Sequence, residues 1–344
     1  MSHSPTSPKG CWHDGDLPLV EELLLDLATG VRFDKLGVIA REHLATGGKR
    51  LRARLALATM QALGAPRVEA VPWAAAAEML HNATLVHDDV QDGDAVRRGV
   101  PSVWARHGVN QAINVGDLML MLPFRALERL EAHPARCWAL SRMLSRCAEE
   151  VVRGQAAELD LLPRQRFEWD AYRDAVEGKT AALFSLPVYG SAILAGLSHD
   201  EADALASELR PIGLLFQIAD DVLDLYGDKG REAPGADLRE GKVSALVVEH
   251  LSLHPGERDD LIALLETPRD ETPAREVHRM IRRFQEGGAL AAVWNRMGAI
   301  EERVHDSAVL ARVPKLHASA FDLVARALLP ILHTDPLRVA GVAK

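Results

Sequence analysis

Cysteine is scarce in this sequence. Cys11, Cys137 and Cys147 are the three present, odd in number and without the paired spacing of a zinc site or a disulfide framework. That excludes a small disulfide-stapled fold and suits a reducing cytoplasm. Aromatic residues are also few, 5% of the total, against 48% hydrophobic residues drawn mostly from Ala and Leu, which favour helices over strands. An excess of positive charge is missing as well: the net charge of -9 over 344 residues excludes a general nucleic-acid binder, which needs a basic face. No run approaches the ~20 apolar residues that span a bilayer, so an integral membrane protein is not expected. Residues 1–16 are polar, hold Pro5, Pro8 and Gly10, and lack an apolar signal core, so they read as a disordered leader.

What is present is helical periodicity. Apolar residues recur at helix spacing from about Leu17, as in Leu23, Leu24 and Leu27, then Met79, Ala83, Val86 and Val90. Breaks fall at short clusters, 45–48, 64–67, 93–101, 196–200 and 227–235, none long enough to link separate domains. The expectation is one all-α domain over 17–332 with a polar tail over 333–344. Pro123 and Pro187 lie within helical runs 114–130 and 171–194, where kinks are expected.

Two acidic segments carry the chemistry. Asp88 and Asp92 stand at i and i+4, so a helix puts their carboxylates on one face with Asp89 on its shoulder. Close carboxylates repel unless a cation intervenes, and hard oxygen donors suit magnesium, which keeps waters and bridges carboxylates to substrate phosphates. A solvated acidic helix end would account for this pattern alone. The second segment repeats it: Gln217, Asp220, Asp221 and Asp224 form a narrow polar stripe on an otherwise apolar helix, where charge is costly unless paired or metal-bound.

The net negative chain still holds local cations. Lys49, Arg50 and Arg52 follow Gly47-Gly48 at a helix start, where open backbone N–H groups also favour an anion. Arg97-Arg98, Lys179-Thr180 and Lys242 are the others, and each alone also fits a solvated surface. Neither Gly-Gly-Lys nor Gly178-Lys179-Thr180 has P-loop spacing, which disfavours ATP-type binding.

In this order, from Gly47 to Lys242, the segments resemble those of the trans-isoprenyl diphosphate synthase (polyprenyl synthetase) family. The matching pieces are Gly47-Gly48-Lys49-Arg50, Asp88–Asp92 with Arg97-Arg98-Gly99, and Asp220–Asp224. The resemblance implies a helical bundle of isoprenoid synthase type around a central apolar cavity, a homodimer, and more than one Mg2+. It implies that Lys49, Arg52, His81 and Arg98 bind isopentenyl diphosphate. Arg97, Lys179, Thr180, Gln217 and Lys242 would face an allylic diphosphate, and Lys179, Thr180 and Gln217 would serve catalysis. Asp88, Asp92 and Asp220 would be the main metal ligands, with Asp89, Asp221 and Asp224 supporting through water.

In the family, bulky aromatics just before the first motif stop growth at short products. Here Ala83 and Thr84 stand there, which implies geranylgeranyl diphosphate or longer, with Met79, Leu80, Met119 and Met121 either a lower floor or ordinary core. Ala53 replaces a frequent proline, Trp104 a frequent histidine, and Arg231-Glu232 a frequent Gly-Lys pair, so Glu232 is expected to weaken allylic affinity. A farnesyl diphosphate synthase, a terpene cyclase and a magnesium-dependent hydrolase are the alternatives. A cyclase would not need a second set of cations, and a hydrolase would not need isopentenyl diphosphate.

Overall fold

The computed structural model describes residues 14–30, 34–227 and 234–332. Among these, seventeen α-helices follow one another: α1 (Leu17–Thr29), α2 (Lys35–Ala45), α3 (Leu51–Ala62), α4 (Arg67–Gln91), α5 (Val103–His107), α6 (Val109–Leu127), α7 (Pro134–Leu159), α8 (Trp169–Val176), α9 (Ala182–Leu194), α10 (His199–Ser207), α11 (Arg210–Tyr226), α12 (Ala236–Arg239), α13 (Ala245–Leu253), α14 (Arg258–Leu265), α15 (Ala274–Glu286), α16 (Ala289–His305) and α17 (Pro314–Leu332). The described strands are one two-residue hairpin, β1 (Val96–Arg97) and β2 (Val100–Pro101). The all-α expectation holds, and the helices break where the sequence clusters its turn residues. Among the described residues no helix is long and apolar enough to cross a membrane. Most of the 1–16 leader and all of the 333–344 tail lie outside the described residues.

By its internal contacts the chain groups into two compact units. The first comprises Met1–Ala148, Leu183–Glu208 and Ala308–Asp322; the second comprises Glu149–Ala182, Leu209–Ser307 and Leu323–Lys344.

In the first unit α4 packs on α6, α3 and α1. Its middle, Trp73 to Ala77, is fully buried, because four consecutive alanines let neighbouring helices approach from every side. The Trp73 indole donates to the Pro187 carbonyl at 2.9 Å, satisfying its one polar atom inside the core. At its C-terminal end the Asp92 N–H reaches the Asp88 carbonyl at 2.8 Å, so helical geometry continues through the first acidic motif before Gly93 turns the chain into the hairpin.

In the second unit α11 packs against α16, α13 and a π-helical turn at Glu177–Ala181. The run 171–194 is therefore interrupted six residues ahead of Pro187, which sits inside α9 as Pro123 sits inside α6. The cause of the early break is crowding. A Cβ on Gly154 would lie 2.1 Å from the Lys179 nitrogen, and one on Gly213 would lie 2.4 Å from the Ala181 Cα. Two glycines thus bring α7 and α11 into backbone contact with the turn that carries Lys179 and Thr180.

Candidate active-site residues

The first unit gathers the cations predicted around Lys49. Gly47 and Gly48 have φ of 81° and 129°, and Arg50 follows at 50°, a left-handed sequence that delivers the chain into α3. Gly48 also lies close to Arg98: a Cβ there would be 2.7 Å from the guanidinium and would push that side chain aside. Arg98 lies across this loop, donating to Thr46 Oγ1 at 3.1 Å and to the Gly47 carbonyl.

The three basic residues of the loop have different fates. Lys49 is exposed. Arg50 is 5% exposed and structural, bonded to the Leu44 carbonyl at 2.6 Å and facing Glu78. Arg52 lies 4.5 Å over the Phe184 ring, and burial pushes its guanidinium down to about 10. The departure at Ala53 has a use: its N–H, which proline lacks, donates to buried Glu78 at 3.2 Å.

His81 stands seven residues before Asp88, two helical turns back on α4. Burial, then Arg52, Arg98, Arg97 and His43, hold its imidazole well below the usual histidine range, so it is neutral. Its buried Nδ1 has no hydrogen-bond partner, and neither does the buried Nε of Arg52. Buried polar atoms are nearly always satisfied, so two orphans in a field of arginines mark a place suited to an anion.

The members of the first acidic motif part company. Asp88 and Asp92 are half-buried, whereas Asp89 is fully buried. A helix turns 100° per residue, which carries Asp89 off the face its neighbours share. Both Nε and Nη2 of Arg97 reach its Oδ1 at 2.5 Å, and its Oδ2 has no partner. Burial pushes Asp89 up to about 6 against the pull of Arg97. In this structure Asp89 and Arg97 thus bond to each other, whereas the sequence assigned one to metal and the other to substrate. Below the motif, Ala83 is fully buried and Thr84 folds its hydroxyl onto the His81 carbonyl at 2.8 Å. Met79, Leu80 and Met119 are core, but Met121 is 58% exposed and can form no floor.

In the second unit Asp220 is exposed while Asp221 and Asp224 are 4% exposed. Asp221 accepts from Tyr172 Oη at 2.7 Å, Ala245 N at 2.7 Å and Gln217 Nε2 at 3.1 Å. Burial raises it to about 6, and these three donors oppose the rise. Asp224 accepts from Asp237 N at 3.0 Å, joining α11 to the start of α12. Both of these aspartates, expected to support metal through water, thus also bond directly to the protein. Thr180 donates to Gln217 Oε1 at 3.3 Å. Lys179 Nζ reaches Glu158 at 2.5 Å, and Lys242 lies 3.1 Å from Glu240. Lys229, Arg231 and Glu232 lie outside the described residues.

The donor set fits magnesium in one way. Among the described residues no group of three or more His, Cys, Asp or Glu side chains converges to hold an ion. Accessible carboxylates in ones and twos instead suit a hard cation that completes its shell with waters and phosphate oxygens. Tyr172, Glu78 and His43 escaped the sequence reading, since each works through a contact distant in the chain. His43, buried and pushed down to about 3 by burial and by Arg98, Arg97 and Arg50, had no motif to announce it.

Known proteins resemble the chain in sequence and in fold. A geranylgeranyl diphosphate synthase of Methanosarcina mazei is 32% identical over 299 residues, covering 86% of this chain and 90% of its own. Among solved structures, a geranylgeranyl pyrophosphate synthetase from Pyrococcus horikoshii superposes with a TM-score of 0.80 at 27% identity, covering 92% of this chain and 96% of the other. A polyprenyl synthase from Caulobacter crescentus, complexed with calcium and isoprenyl diphosphate, gives a TM-score of 0.81 at 26% identity, covering 92% and 94%. The polyprenyl synthetase family model matches residues 34–283, most of the described chain, and the protein belongs to that family, the trans-isoprenyl diphosphate synthases.

Proposed function

We propose that the protein joins isopentenyl diphosphate to an allylic diphosphate, head to tail and trans, to make geranylgeranyl or a longer polyprenyl diphosphate in the cytoplasm. The observation that carries this reading is the pair of orphaned nitrogens on Arg52 and His81, ringed by arginines. An anion site of that kind, separate in sequence from the Gln217 stripe, answers the need to bind a second diphosphate.

Lys49, Arg52, His81 and Arg98 hold the diphosphate of isopentenyl diphosphate, with neutral His81 able to donate a hydrogen bond without adding charge. Asp88, Asp92 and Asp220 are the chief magnesium ligands, and buried Asp89, Asp221 and Asp224 keep their helices in place behind them. When bound, Mg2+ neutralises charge on the departing diphosphate as a Lewis acid. Lys179 and Lys242 attract the allylic diphosphate, and Arg97 adds positive potential from its place on Asp89. The allylic C–O bond breaks with its electron pair on oxygen. The double bond of isopentenyl diphosphate then attacks the allylic carbon, and a proton passes to the released diphosphate. Thr180 and Gln217 offer oxygen dipoles to the electron-poor carbon. Small Ala83 and Thr84 leave room for a chain longer than farnesyl.

The family works as a homodimer, and α6 supplies a fitting surface. Val109, Ile113 and Met121 are 45%, 43% and 58% exposed at four- and eight-residue spacing, a largely apolar row on one helix face interrupted by exposed Asp117.

Incubation with Mg2+, isopentenyl diphosphate and each allylic primer in turn, followed by sizing of the products, tests the reading. Geranylgeranyl or longer products are expected. Farnesyl diphosphate alone would overturn the length, and no elongation with any primer would overturn the activity.

A further inference from the structure

In the second unit the middle carboxylate of the acidic motif is held by groups from three helices, its own and two others. Asp221 on α11 receives the Tyr172 hydroxyl from α8 and the first N–H of α13, both on Oδ2. Its Oδ1 is left for Gln217, one turn earlier on the same helix. Tyr172 is itself fixed: its ring lies 5.3 Å from that of Trp169. Trp169 lies 3.8 Å beneath the Arg296 guanidinium, and Arg296 of α16 bonds Glu249 of α13 at 2.5 Å. The path that leaves α13 at Ala245 returns to it at Glu249. A carboxylate held on both oxygens in such a ring is not free to swing toward an ion.

A side-chain amide can face either way, and its orientation follows from its partners. An ionised carboxylate only accepts. Gln217 must therefore give Nε2 to Asp221, which turns Oε1 outward to accept the single proton of the Thr180 hydroxyl. The lone pairs left on Gln217 and Thr180 then point away from the network. This polarity has a consequence for the reaction proposed above, on which the inference rests. Oxygen lone pairs stabilise an electron-deficient allylic carbon, whereas a reversed amide would point N–H groups at it.

We propose that Asp221 and Tyr172 are positioning residues that fix the polarity of Gln217, so that it and Thr180 present oxygen to the developing allylic cation, and that Asp221 is not a magnesium ligand. Asp221→Asn supplies a side chain that can donate as well as accept, so Gln217 loses its enforced orientation. Tyr172→Phe removes one tether and keeps the ring against Trp169.

The test compares the intact chain with Asp221→Asn, Tyr172→Phe, Gln217→Leu and the Asp221→Asn/Gln217→Leu double variant. We expect kcat to fall about 10- to 100-fold for Asp221→Asn, less than the about 100- to 1,000-fold seen when one catalytic dipole is removed outright, because the Gln217 amide stays and loses only its enforced direction. A smaller fall, about 3- to 10-fold, is expected for Tyr172→Phe, which keeps the carboxylate itself. Both variants should leave allylic KM and the Mg2+ concentration for half-maximal rate unchanged. Calorimetric titration with Mg2+ and inorganic diphosphate should give the affinity of the unaltered chain. The double variant should be no slower than Gln217→Leu alone, because one interaction is removed twice. Wild-type kcat in Asp221→Asn, a raised Mg2+ requirement, weakened Mg2+–diphosphate binding or additive losses would each overturn the proposal. Should Asp221→Asn fail to fold, Tyr172→Phe decides by the same readouts, and wild-type kcat there overturns the proposal too. Failure of the parent reading is seen separately, as absence of elongation by the unaltered chain.

Discussion

The two acidic motifs are spelled alike and built differently. Asp88-Asp89-Val90-Gln91-Asp92 closes α4, where the helix ends and its last carbonyls add negative potential to that of the carboxylates. Asp220-Asp221-Val222-Leu223-Asp224 lies inside α11, with two of its three aspartates buried and bonded to protein. The first motif holds its middle carboxylate with one arginine from the hairpin that follows and leaves one oxygen unpartnered. The second holds it with a tyrosine, an amide and a helix N-terminus. In both, the leading aspartate is accessible and the next is buried, as the 100° helical turn requires. A shared spelling therefore fixes the leading aspartate outward and the next inward, but neither what holds the inward one nor where the last one lies, since Asp92 is half-buried and Asp224 is buried.

The comparison can be broken most severely at the leading aspartates. Asp88→Ala and Asp220→Ala should each lower kcat by about a thousandfold or more, since each removes a ligand from an ion worth several kcal/mol of charge stabilisation. Steady-state rates at saturating Mg2+ check this, and a large loss in only one variant would separate the motifs in function. Asp89→Ala should instead act on stability. It strips the partner from half-buried Arg97, and a cost of about 2 kcal/mol is expected, below the 3–5 of a fully buried pair because Arg97 is partly solvated. Denaturant unfolding measures it.

The cations divide the two substrates next. Arg52→Lys loses the planar fork and its stacking on Phe184, and His81→Ala loses a donor. Each should raise KM for isopentenyl diphosphate about tenfold with the allylic KM unchanged. Lys242→Ala should do the reverse by a few-fold, reduced because Glu240 already engages its ammonium. Glu232→Lys should have the smallest effect, an allylic KM lowered about two- to threefold by one added screened charge. An unchanged allylic KM would remove that position from the account.

Helix content, most helix breaks and the shared face of Asp88 and Asp92 were legible in the sequence, because periodicity and i, i+4 spacing are local, whereas the same spacing in Asp220 and Asp224 did not tell the exposed aspartate from the buried one. What escaped was set by contacts remote in the chain. Nothing near Asp89 announces that Arg97 folds back onto it across a hairpin, and Tyr172 meets Asp221 from 49 residues away. The π-turn at Lys179 is packed against Gly154 and Gly213 from two other helices, which no local pattern in the run 171–194 announces. Arg52 was singled out over Arg50 only by resemblance; the structure adds that Arg50, at a left-handed backbone position, is buried, while Arg52 lies over Phe184.

The central claim is that two diphosphates are bound by different cations and joined in one reaction. It is tested most directly by measuring inorganic diphosphate release in Mg2+ with the allylic substrate alone, isopentenyl diphosphate alone, and both. The account predicts release only with both, one diphosphate for each new carbon–carbon bond, and loss of that release in Arg52→Ala. Release from the allylic substrate alone at the same rate would contradict it and point to a hydrolase or a cyclase.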